Sequence, residues 1–199
     1  MKTLRDMAGL DGAVQFAPRW LPVPEADALF DAVHVGVPWA RHRLRIFGRE
    51  VDAPRLSCWI GDPDATYRYS GVRHLPLPWP DVLEPLRERL QDETCSEFNS
   101  VLANLYRDGR DCMGWHSDDE RELGEQPVIA SISLGATRRF VLRLRTDTTR
   151  KHEVMLPHGS LLLMRGSSQA DWQHALPRTA KPVKPRINLT FRKVRHERI

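Results

Sequence analysis

"RINLTFR", running from Arg186 to Arg192, alternates between polar and apolar side chains. Because successive side chains of a β-strand point to opposite faces, the segment predicts a strand with one apolar and one polar face. The polar face carries Arg186, Asn188, Thr190 and Arg192. Two inward guanidinium groups are costly to bury unless an anion pairs with them. The segment therefore predicts a strand that lines an anion-binding cavity inside a β-structure.

A dicarboxylate is the ligand best matched to this face, because a planar guanidinium group can hold a carboxylate through two parallel hydrogen bonds. The "NLY" segment offers two more hydrogen-bonding groups at alternate positions, Asn104 and Tyr106, and we expect them on a facing strand. The alternative is an edge strand with exposed charges, and Pro182 and Pro185 just before the segment suit an edge. We favour the cavity, since the intervening apolar residues need a buried face of their own.

Short apolar runs separated by turn residues occupy the chain from Phe98 up to this segment. They read "FNSVLANLYR", "PVIASISLG", "RRFVLRLR", "HEVMLP", "SLLLMRG" and "QADWQHAL". This spacing predicts an all-β sandwich or small barrel in the C-terminal half. The N-terminal half is mixed, with helical periodicity from Val23 to Val33 and from Pro80 to Glu93, and strand alternation in "RHRLRIFG" and "ATYRYSG". We expect these helices to brace the barrel from outside.

The composition is that of an ordinary soluble protein. The chain has 199 residues, of which 41% are hydrophobic and 28% charged, and no apolar run is long enough to span a membrane. Its three cysteines have no pairing pattern and its first twenty residues lack a signal peptide's apolar core, so we expect a cytoplasmic protein with reduced thiols. A net charge of +4 permits a polyanionic partner without requiring one.

A second group of polar residues stands in "MGWHSDDERELG", from Met113 to Gly124. It contains one His-x-acid triplet, formed by His116 and Asp118. Chance alone would supply about one such triplet in a chain with eight histidines and 26 acidic residues, so a solvated loop is the alternative to a metal site. On an extended segment, however, the two side chains point to the same side and can reach one ion.

Two imidazoles and one carboxylate on one face of the metal are the ligand set of mononuclear non-haem iron(II) oxygenases, in which the other positions stay open for co-substrate and oxygen. The third ligand must then come from another strand. His174, near the end of "SQADWQHAL", is the better candidate, and His158, in the turn "LPHGS", is the weaker one, which we expect to face solvent. The doubly cationic segment follows His174 by twelve residues, and this favours His174.

Five segments together resemble the core of a known family. They are "FNSVLANLYRDG", "WHSDDE", "IASISLGATRRF", "HGSLLLMRGSSQADWQH" and "PRINLTFR". In order and spacing, from about Arg45 to Val194, the chain is similar to the AlkB family of iron(II)- and 2-oxoglutarate-dependent nucleic-acid dealkylating dioxygenases, nearest its duplex-DNA-repair branch. The resemblance implies a mixed α/β, mainly β chain with a double-stranded β-helix (jelly-roll) core. It implies one domain, with N-terminal helices and a nucleotide-recognition lid over about residues 1–97 and the catalytic core over about residues 98–195.

The same resemblance implies a set of functional residues. Iron(II) would be held by His116, Asp118 and His174. The co-substrate 2-oxoglutarate would contact Asn104, Tyr106, Arg186, Thr190 and Arg192, with Asn188 supporting them.

Two upstream segments, "RIFGRE" and "DATYRYSG", resemble the family's nucleotide-recognition segments. By that match the substrate nucleotide would contact Phe47, Gly48, Arg49, Tyr67, Arg68 and Tyr69. Asp119 matches the acid that faces the damaged base, where a carboxylate would favour a cationic lesion over a neutral base. For the aromatic residues the alternative is core packing, because rings that stack on bases and rings that pack in a core look alike in sequence. Trp115 and Trp172 we assign to the core.

The activity implied is DNA repair. The protein would use iron(II), 2-oxoglutarate and O2 to remove N-alkyl groups from bases such as 1-methyladenine and 3-methylcytosine, releasing formaldehyde, succinate and CO2. Its partner would be alkylated double- or single-stranded DNA, or RNA. We expect no membrane partner and a monomeric protein. Two alternatives stay open: the same chemistry on RNA or on another substrate, and a non-catalytic module that binds alkylated DNA.

Overall fold

A computed structural model gives the fold for residues 4–46, 49–69 and 72–195, with the side chains of residues 44–49 and 67–74 outside the description. Within these residues the strands are β1 (Arg5–Asp6), β2 (Val14–Ala17), β3 (Arg43–Ile46), β4 (Arg49–Asp52), β5 (Leu56–Gly61), β6 (Tyr67–Tyr69), β7 (Val72–His74), β8 (Ser100–Tyr106), β9 (Met113–His116), β10 (Ile129–Gly135), β11 (Arg138–Leu144), β12 (Lys151–Leu156), β13 (Ser160–Met164), β14 (Trp172–Leu176) and β15 (Arg186–Arg192). The helices are α1 (Val23–Gly36), α2 (Glu84–Thr94) and the four-residue α3 (Ser168–Asp171), with a 3-10 turn at Arg121–Leu123. Within this part of the chain, no helix is long and apolar enough to cross a membrane.

Two antiparallel sheets form the body of the protein. The major sheet has seven strands in the order β1-β2-β13-β10-β15-β8-β5, and the minor sheet has four in the order β12-β11-β14-β9. A hydrophobic cluster holds side chains from both sheets, including Tyr106 and Leu162 of the major sheet and Phe140 and Leu176 of the minor one. The two sheets therefore pack face to face, which is the predicted jelly-roll arrangement.

The strand that the sequence singled out lies in the middle of the major sheet. β15 pairs with β10 on one side and with β8 on the other, so it is not an edge strand, in spite of the prolines before it. Ile187, Leu189 and Phe191 are fully buried in the cluster that also contains the apolar faces of α1 and α2. The helices thus cover the outer face of the major sheet, and the polar face of β15 points into the space between the sheets.

Both long helices form where the periodicity indicates. α1 buries Ala26, Leu29 and Val33 and has a proline in its first turn, where a missing N–H costs nothing. α2 begins at Glu84, four residues after the predicted start, because residues 81–83 form a turn. Pro85 then falls in the first turn of the helix, as its position requires.

Besides the two strands predicted there, which form as β3 and β6, the N-terminal half contributes strands that the sequence analysis did not assign. β2 pairs with β13, and β5 pairs with β8 at the edge of the major sheet. β5 reads "LSCWIG" and is buried along five of its six residues, so it lacks the alternation that marks a half-exposed strand. β2 has only four residues, too few for a clear period.

One assignment to the core is wrong. The side chain of Trp115 is 37% exposed, and the guanidinium group of Arg143 lies 4.3 Å from the centre of its ring. Trp115 lies on the outer surface of the minor sheet. In the described part of the chain no layer of apolar side chains covers it there, and its ring contacts the cation of Arg143 instead. Trp172 is buried, as predicted.

Candidate metal and co-substrate site

The predicted metal ligands meet in the minor sheet. His116 ends β9 and lies directly opposite His174 of β14 in the antiparallel ladder, which brings the centres of the two rings to 4.2 Å. Asp118 follows two residues after the end of β9. One ligand atom from each of His116, Asp118 and His174 lies within 4.8 Å of the others, and these three residues form the one such group of metal-binding side chains in the described part of the chain.

The protonation of both imidazoles suits a metal. Nδ1 of His116 lies 2.9 Å from the carbonyl oxygen of Gly114. A carbonyl can only accept, so Nδ1 carries the proton and Nε2 is left as the ligand atom. Burial, together with the nearby charge of His116, lowers the pKa of His174 to about 3. His174 is therefore neutral at pH 7, as a metal ligand must be.

Asp118 is a buried carboxylate that stays ionised. Burial raises its pKa, the positive charge of Arg192 is the largest of the effects that oppose burial, and the net pKa lies below its ordinary value. Arg192 donates from Nη2 to Oδ1 of Asp118 at 2.9 Å. Two imidazoles and one carboxylate are the donor set that iron(II) takes in this class of site, so the residues present fit the metal.

The co-substrate residues come from the major sheet. In the antiparallel ladder Arg186 lies opposite Tyr106 and Asn188 lies opposite Asn104. Asn104 and Tyr106 are therefore on the strand next to β15 in the same sheet, and not on a facing strand as expected. Their side chains still share one face with the polar residues of β15, because direct partners in a ladder point to the same side.

One cavity joins the two sets of residues. Its empty space, counted together with the part that opens to solvent, is about 470 Å³. The predicted metal and co-substrate residues that line it are Asn104, Tyr106, His116, Asp118, His174, Arg186, Asn188, Thr190 and Arg192. The metal ligands form one wall and the polar face of β15 with β8 forms the opposite wall.

Arg186 is a buried cation whose surroundings suit the binding of an anion. It is 2% exposed, and burial lowers its pKa to about 10, so it is charged at pH 7. Within residues 4–46, 49–69 and 72–195, no acidic side chain forms an ion pair with Arg186, and its Nε has no hydrogen-bond partner. An uncompensated buried cation costs several kcal/mol, and a carboxylate of 2-oxoglutarate would remove that cost.

The neighbours of Arg186 are arranged so that donors face the cavity. Arg186 donates from Nη2 to Oγ of Ser133 and to Oδ1 of Asn188, each at 2.8 Å. Oδ1 of Asn188 is thereby fixed as the acceptor, and its Nδ2 donates to Oγ1 of Thr190 at 2.6 Å. The hydroxyl proton of Thr190 then remains for a ligand. Asn188 therefore holds its neighbours in place, as the resemblance implied, and Ser133 adds a contact that the sequence did not indicate.

Arg55 orients Asn104 in the same way. Arg55 is 6% exposed and donates from Nε to Oδ1 of Asn104 at 2.8 Å. Because a guanidinium group can only donate, the amide of Asn104 must present its oxygen to Arg55 and its Nδ2 donor elsewhere. The sequence analysis missed Arg55, whose partner is 49 residues away along the chain.

Most of the predicted nucleotide contacts cannot be compared with the structure. Phe47 and Gly48 lie outside the described residues. The side chains of Arg49 and of Tyr67, Arg68 and Tyr69 also lie outside the description, although their backbone forms β4 and β6. These contacts stay predictions.

Asp119, the predicted base-facing acid, lies at the protein surface. Its side chain is 54% exposed and forms an ion pair with Arg145, with 2.9 Å between Oδ2 and Nη1. A surface ion pair of this kind contributes about 0–1 kcal/mol, so the carboxylate of Asp119 can exchange Arg145 for another cation at little cost.

His158 and the cysteines lie outside the cavity. The ring of His158 accepts a hydrogen bond from the N–H of Gly135 at 2.8 Å, and its Nε2 lies 3.1 Å from Asp27. His158 therefore supports a turn and is half-buried, and not solvent-facing as expected. Cys58, Cys95 and Cys112 are free thiols.

Comparisons with known proteins agree with this geometry. The family model of the 2OG-Fe(II) oxygenase superfamily matches residues 13–192. The alpha-ketoglutarate-dependent dioxygenase alkB homolog 3 of Bos taurus is 41% identical over 190 residues, which span 91% of this chain and 66% of that protein. The DNA oxidative demethylase ALKBH2 of Homo sapiens is 42% identical over 180 residues, which span 85% of this chain and 69% of that protein.

The chain thus spans just under two thirds of the length of the first of these relatives. The solved structure of OsALKBH1 superposes with a TM-score of 0.66 over 96% of this chain and 100% of that one, at 16% identity, and this likeness bears on the fold alone. The predicted jelly-roll fold is confirmed. A three-residue metal group, a family model over nearly the whole chain and relatives above 40% identity lead to one conclusion: the chain belongs to the AlkB family of the 2OG-Fe(II) oxygenase superfamily.

Proposed function

We propose that this protein is an iron(II)- and 2-oxoglutarate-dependent dioxygenase that removes N-alkyl groups from damaged DNA bases such as 1-methyladenine and 3-methylcytosine. The observation that carries the proposal is the single cavity with His116, Asp118 and His174 on one wall and the buried cation Arg186 on the other. A metal site alone would suit many reactions. A metal site opposite a buried cation is suited to a co-substrate that binds the metal at one end and carries a carboxylate at the other.

In this proposal iron would be held by His116 through Nε2, by the carboxylate of Asp118 and by the ring of His174. With iron and 2-oxoglutarate bound, the site supplies oxidation of an N-methyl carbon by O2, coupled to conversion of 2-oxoglutarate into succinate and CO2, and the hydroxymethylated base then releases formaldehyde. No acid or base of the protein is obligatory for this chemistry, so the protein's role is to orient the reactants and exclude water.

The co-substrate residues would act as a set of donors. Arg186 takes the carboxylate far from the metal through its charge and its unpartnered Nε, because Nη2 already bonds Ser133 and Asn188 and Tyr106 also hydrogen-bonds the guanidinium group. Arg192, which pairs with Asp118, lies at the metal end. Asn104, Tyr106 and Thr190 complete the wall with hydrogen-bond donors, and a wall of donors selects an anion over a neutral molecule.

The base would be selected by charge. Alkylation at a ring nitrogen of adenine or cytosine blocks pairing and makes the base cationic, which lowers the cost of extruding it from the duplex. Asp119, next to the metal ligand Asp118, supplies the matching carboxylate. Its half-exposed position limits the gain, which we put at about 1 kcal/mol after screening by solvent.

A panel of oligonucleotides tests the proposal. Single- and double-stranded DNA and RNA carrying 1-methyladenine or 3-methylcytosine are incubated with iron(II), 2-oxoglutarate and the protein, and formaldehyde is measured. We expect release from methylated DNA. No formaldehyde from any nucleic acid would refute the repair function, and release from RNA alone would replace DNA by RNA as the substrate.

Two alanine variants separate catalysis from binding. His116→Ala removes a metal ligand, so we expect it to abolish turnover and to leave DNA affinity within a few-fold. His34→Ala on the exposed side of α1 is the matched control and should turn over normally. A His116→Ala protein that still demethylates would contradict the ligand assignment.

A further inference from the structure

We propose that Gln169 is a positioning residue for the metal site: it fixes the backbone of Asp118 relative to His174 and so sets the affinity for the metal. The inference rests on the proposed function, because it assigns Asp118 and His174 as ligands. It concerns a residue in the connection between β13 and β14, whose side chain is outside the metal group.

The relative positions of the two histidine ligands do not depend on Gln169. They are direct partners in the ladder between β9 and β14, so the backbone of the minor sheet sets the distance between their rings. β9 ends at His116, and Asp118 lies beyond it in a segment without strand structure. The sheet therefore fixes two of the three ligands and leaves the third to contacts made by side chains.

Gln169 makes the contact that fixes the backbone of Asp118. The N–H of Asp118 donates to Oε1 of Gln169 at 2.8 Å, inside the protein. Gln169 is 1% exposed, and its Nε2 faces Oγ of Ser168 at 3.2 Å and the sulfur of Met164 at 3.5 Å. The Asp118 N–H can only donate, so the amide orientation is fixed with the oxygen toward the metal segment.

Gln169 also belongs to the segment that carries the third ligand. It lies in α3, which ends where β14 begins, and His174 is the third residue of β14. The bond from Asp118 to Gln169 thus ties the loop carboxylate to the chain segment of His174. Further bonds reinforce the same tie. Oγ of Ser117 donates to the carbonyl of Trp172 at 3.0 Å, and Arg145 donates to the carbonyl of Gln169 at 3.3 Å.

The arrangement leaves the two oxygens of Asp118 to other partners. Arg192 bonds Oδ1, which orients the carboxylate group, while Gln169 holds the main chain from which the carboxylate extends. Ligand-supporting contacts of this kind typically contribute ten- to 100-fold to metal affinity. Gln169 would therefore act on the metal through Asp118, without touching the metal itself.

The test measures binding of Mn(II), used as the probe, by the EPR signal of the free ion in a titration without 2-oxoglutarate or nucleic acid. Gln169→Met keeps the length of the side chain and removes the acceptor. Gln173→Met is the matched control, since Gln173 lies four residues on and bonds the surface residue Arg143 at 3.0 and 2.8 Å. Thermal unfolding in EDTA is recorded for each variant.

We expect Gln169→Met to weaken Mn(II) binding about tenfold or more, and Gln173→Met to bind within twofold of the parent protein. Gln169→Asn, which withdraws the acceptor by one methylene, is the milder variant and should lose about three- to tenfold, so it serves if Gln169→Met does not fold.

Binding by the folded Gln169 variants within twofold of the parent would overturn the inference and leave the proposed function intact. An equal loss in Gln173→Met would also overturn it, because the effect would then be global. A parent protein that binds no Mn(II) would overturn both.

Discussion

Replacing Arg186 by methionine separates the stability of this protein from its binding of 2-oxoglutarate. Arg186 is buried, and burial lowers its pKa from 12.5 to about 10, a cost on the order of 3 kcal/mol at neutral pH. Methionine has similar length and removes that cost, but it also removes the hydrogen bonds to Ser133, Asn188 and Tyr106, at about 1 kcal/mol each. The two effects nearly cancel, so we expect the unfolding midpoint of the ligand-free protein to change by less than about 4 °C.

Binding of 2-oxoglutarate should respond very differently. Arg186 offers a carboxylate its unpartnered Nε donor and its buried positive charge, and the resulting charge-assisted hydrogen bond and ion pair are together worth about 3 kcal/mol. Their loss, at least about 3 kcal/mol, weakens the affinity by roughly 100-fold or more. The prediction is thus an almost unchanged fold with almost no co-substrate binding.

Thermal unfolding with Mn(II), with and without 2-oxoglutarate, measures both quantities at once. At a concentration of 100 times the parent Kd, the co-substrate adds about 2.7 kcal/mol of stability, which raises the midpoint of the parent protein by roughly 5–11 °C. At the same concentration the variant, with its Kd about 100-fold higher, should gain only about 0.4 kcal/mol, or about 1 °C.

The matched control is Arg139→Met, since Arg139 pairs with Glu153 and is half exposed. It should keep the full rise. A rise in Arg186→Met equal to that of the parent would refute the assignment of Arg186. A ligand-free Arg186→Met protein that unfolds 10 °C or more below the parent would refute the reasoning about its buried charge.

Three further predictions follow from the same site. Arg55→Met releases the amide of Asn104, so the Kd for 2-oxoglutarate, read by calorimetry, should rise about tenfold, and a Kd within twofold of the parent would count against this role. The pKa of His174 is lowered to about 3 in the folded protein against about 6.5 unfolded, so the unfolded state binds the extra proton between these values. The free energy of unfolding of the metal-free protein should then fall by up to about 1.4 kcal/mol per pH unit as the pH drops below about 6.5. In urea unfolding between pH 7 and 5.5, His174→Gln should show a shallower fall. An equal slope in the two proteins would disprove the lowered pKa of His174. Asp119→Asn removes the carboxylate paired with Arg145, so kcat/KM for 3-methylcytosine should fall about fivefold, whereas an uncharged methylated base should be affected less; equal losses would argue against charge selection.

The sequence was most informative where one residue pattern served both the fold and the site. β15 alternates between polar and apolar residues because one of its faces packs against the helices and the other lines the cavity. Arg186 and Arg192 could therefore be assigned to a buried face from their spacing alone. His174 could be preferred over His158 because it lies close in sequence to that strand. Here local pattern and tertiary structure carry the same information.

The contacts that hold these residues in place were not predictable in the same way. Arg55 and Asn104 are 49 residues apart, and Gln169 and Asp118 are 51 apart, so no local period marks them. β5 was missed because a strand covered on both sides has no alternation. The partner of Trp115 on the outer surface is Arg143, which belongs to another strand. Each of these features is a property of long-range pairing, which the spacing of residues in one segment does not encode.

The most direct measurement of the central claim is an anomalous difference map from crystals grown with Mn(II) and 2-oxoglutarate. The account predicts one metal peak bonded to His116, Asp118 and His174, and a 2-oxoglutarate molecule whose far carboxylate is hydrogen-bonded to Arg186. A metal bound elsewhere, or a co-substrate that leaves Arg186 without an anion, would contradict it.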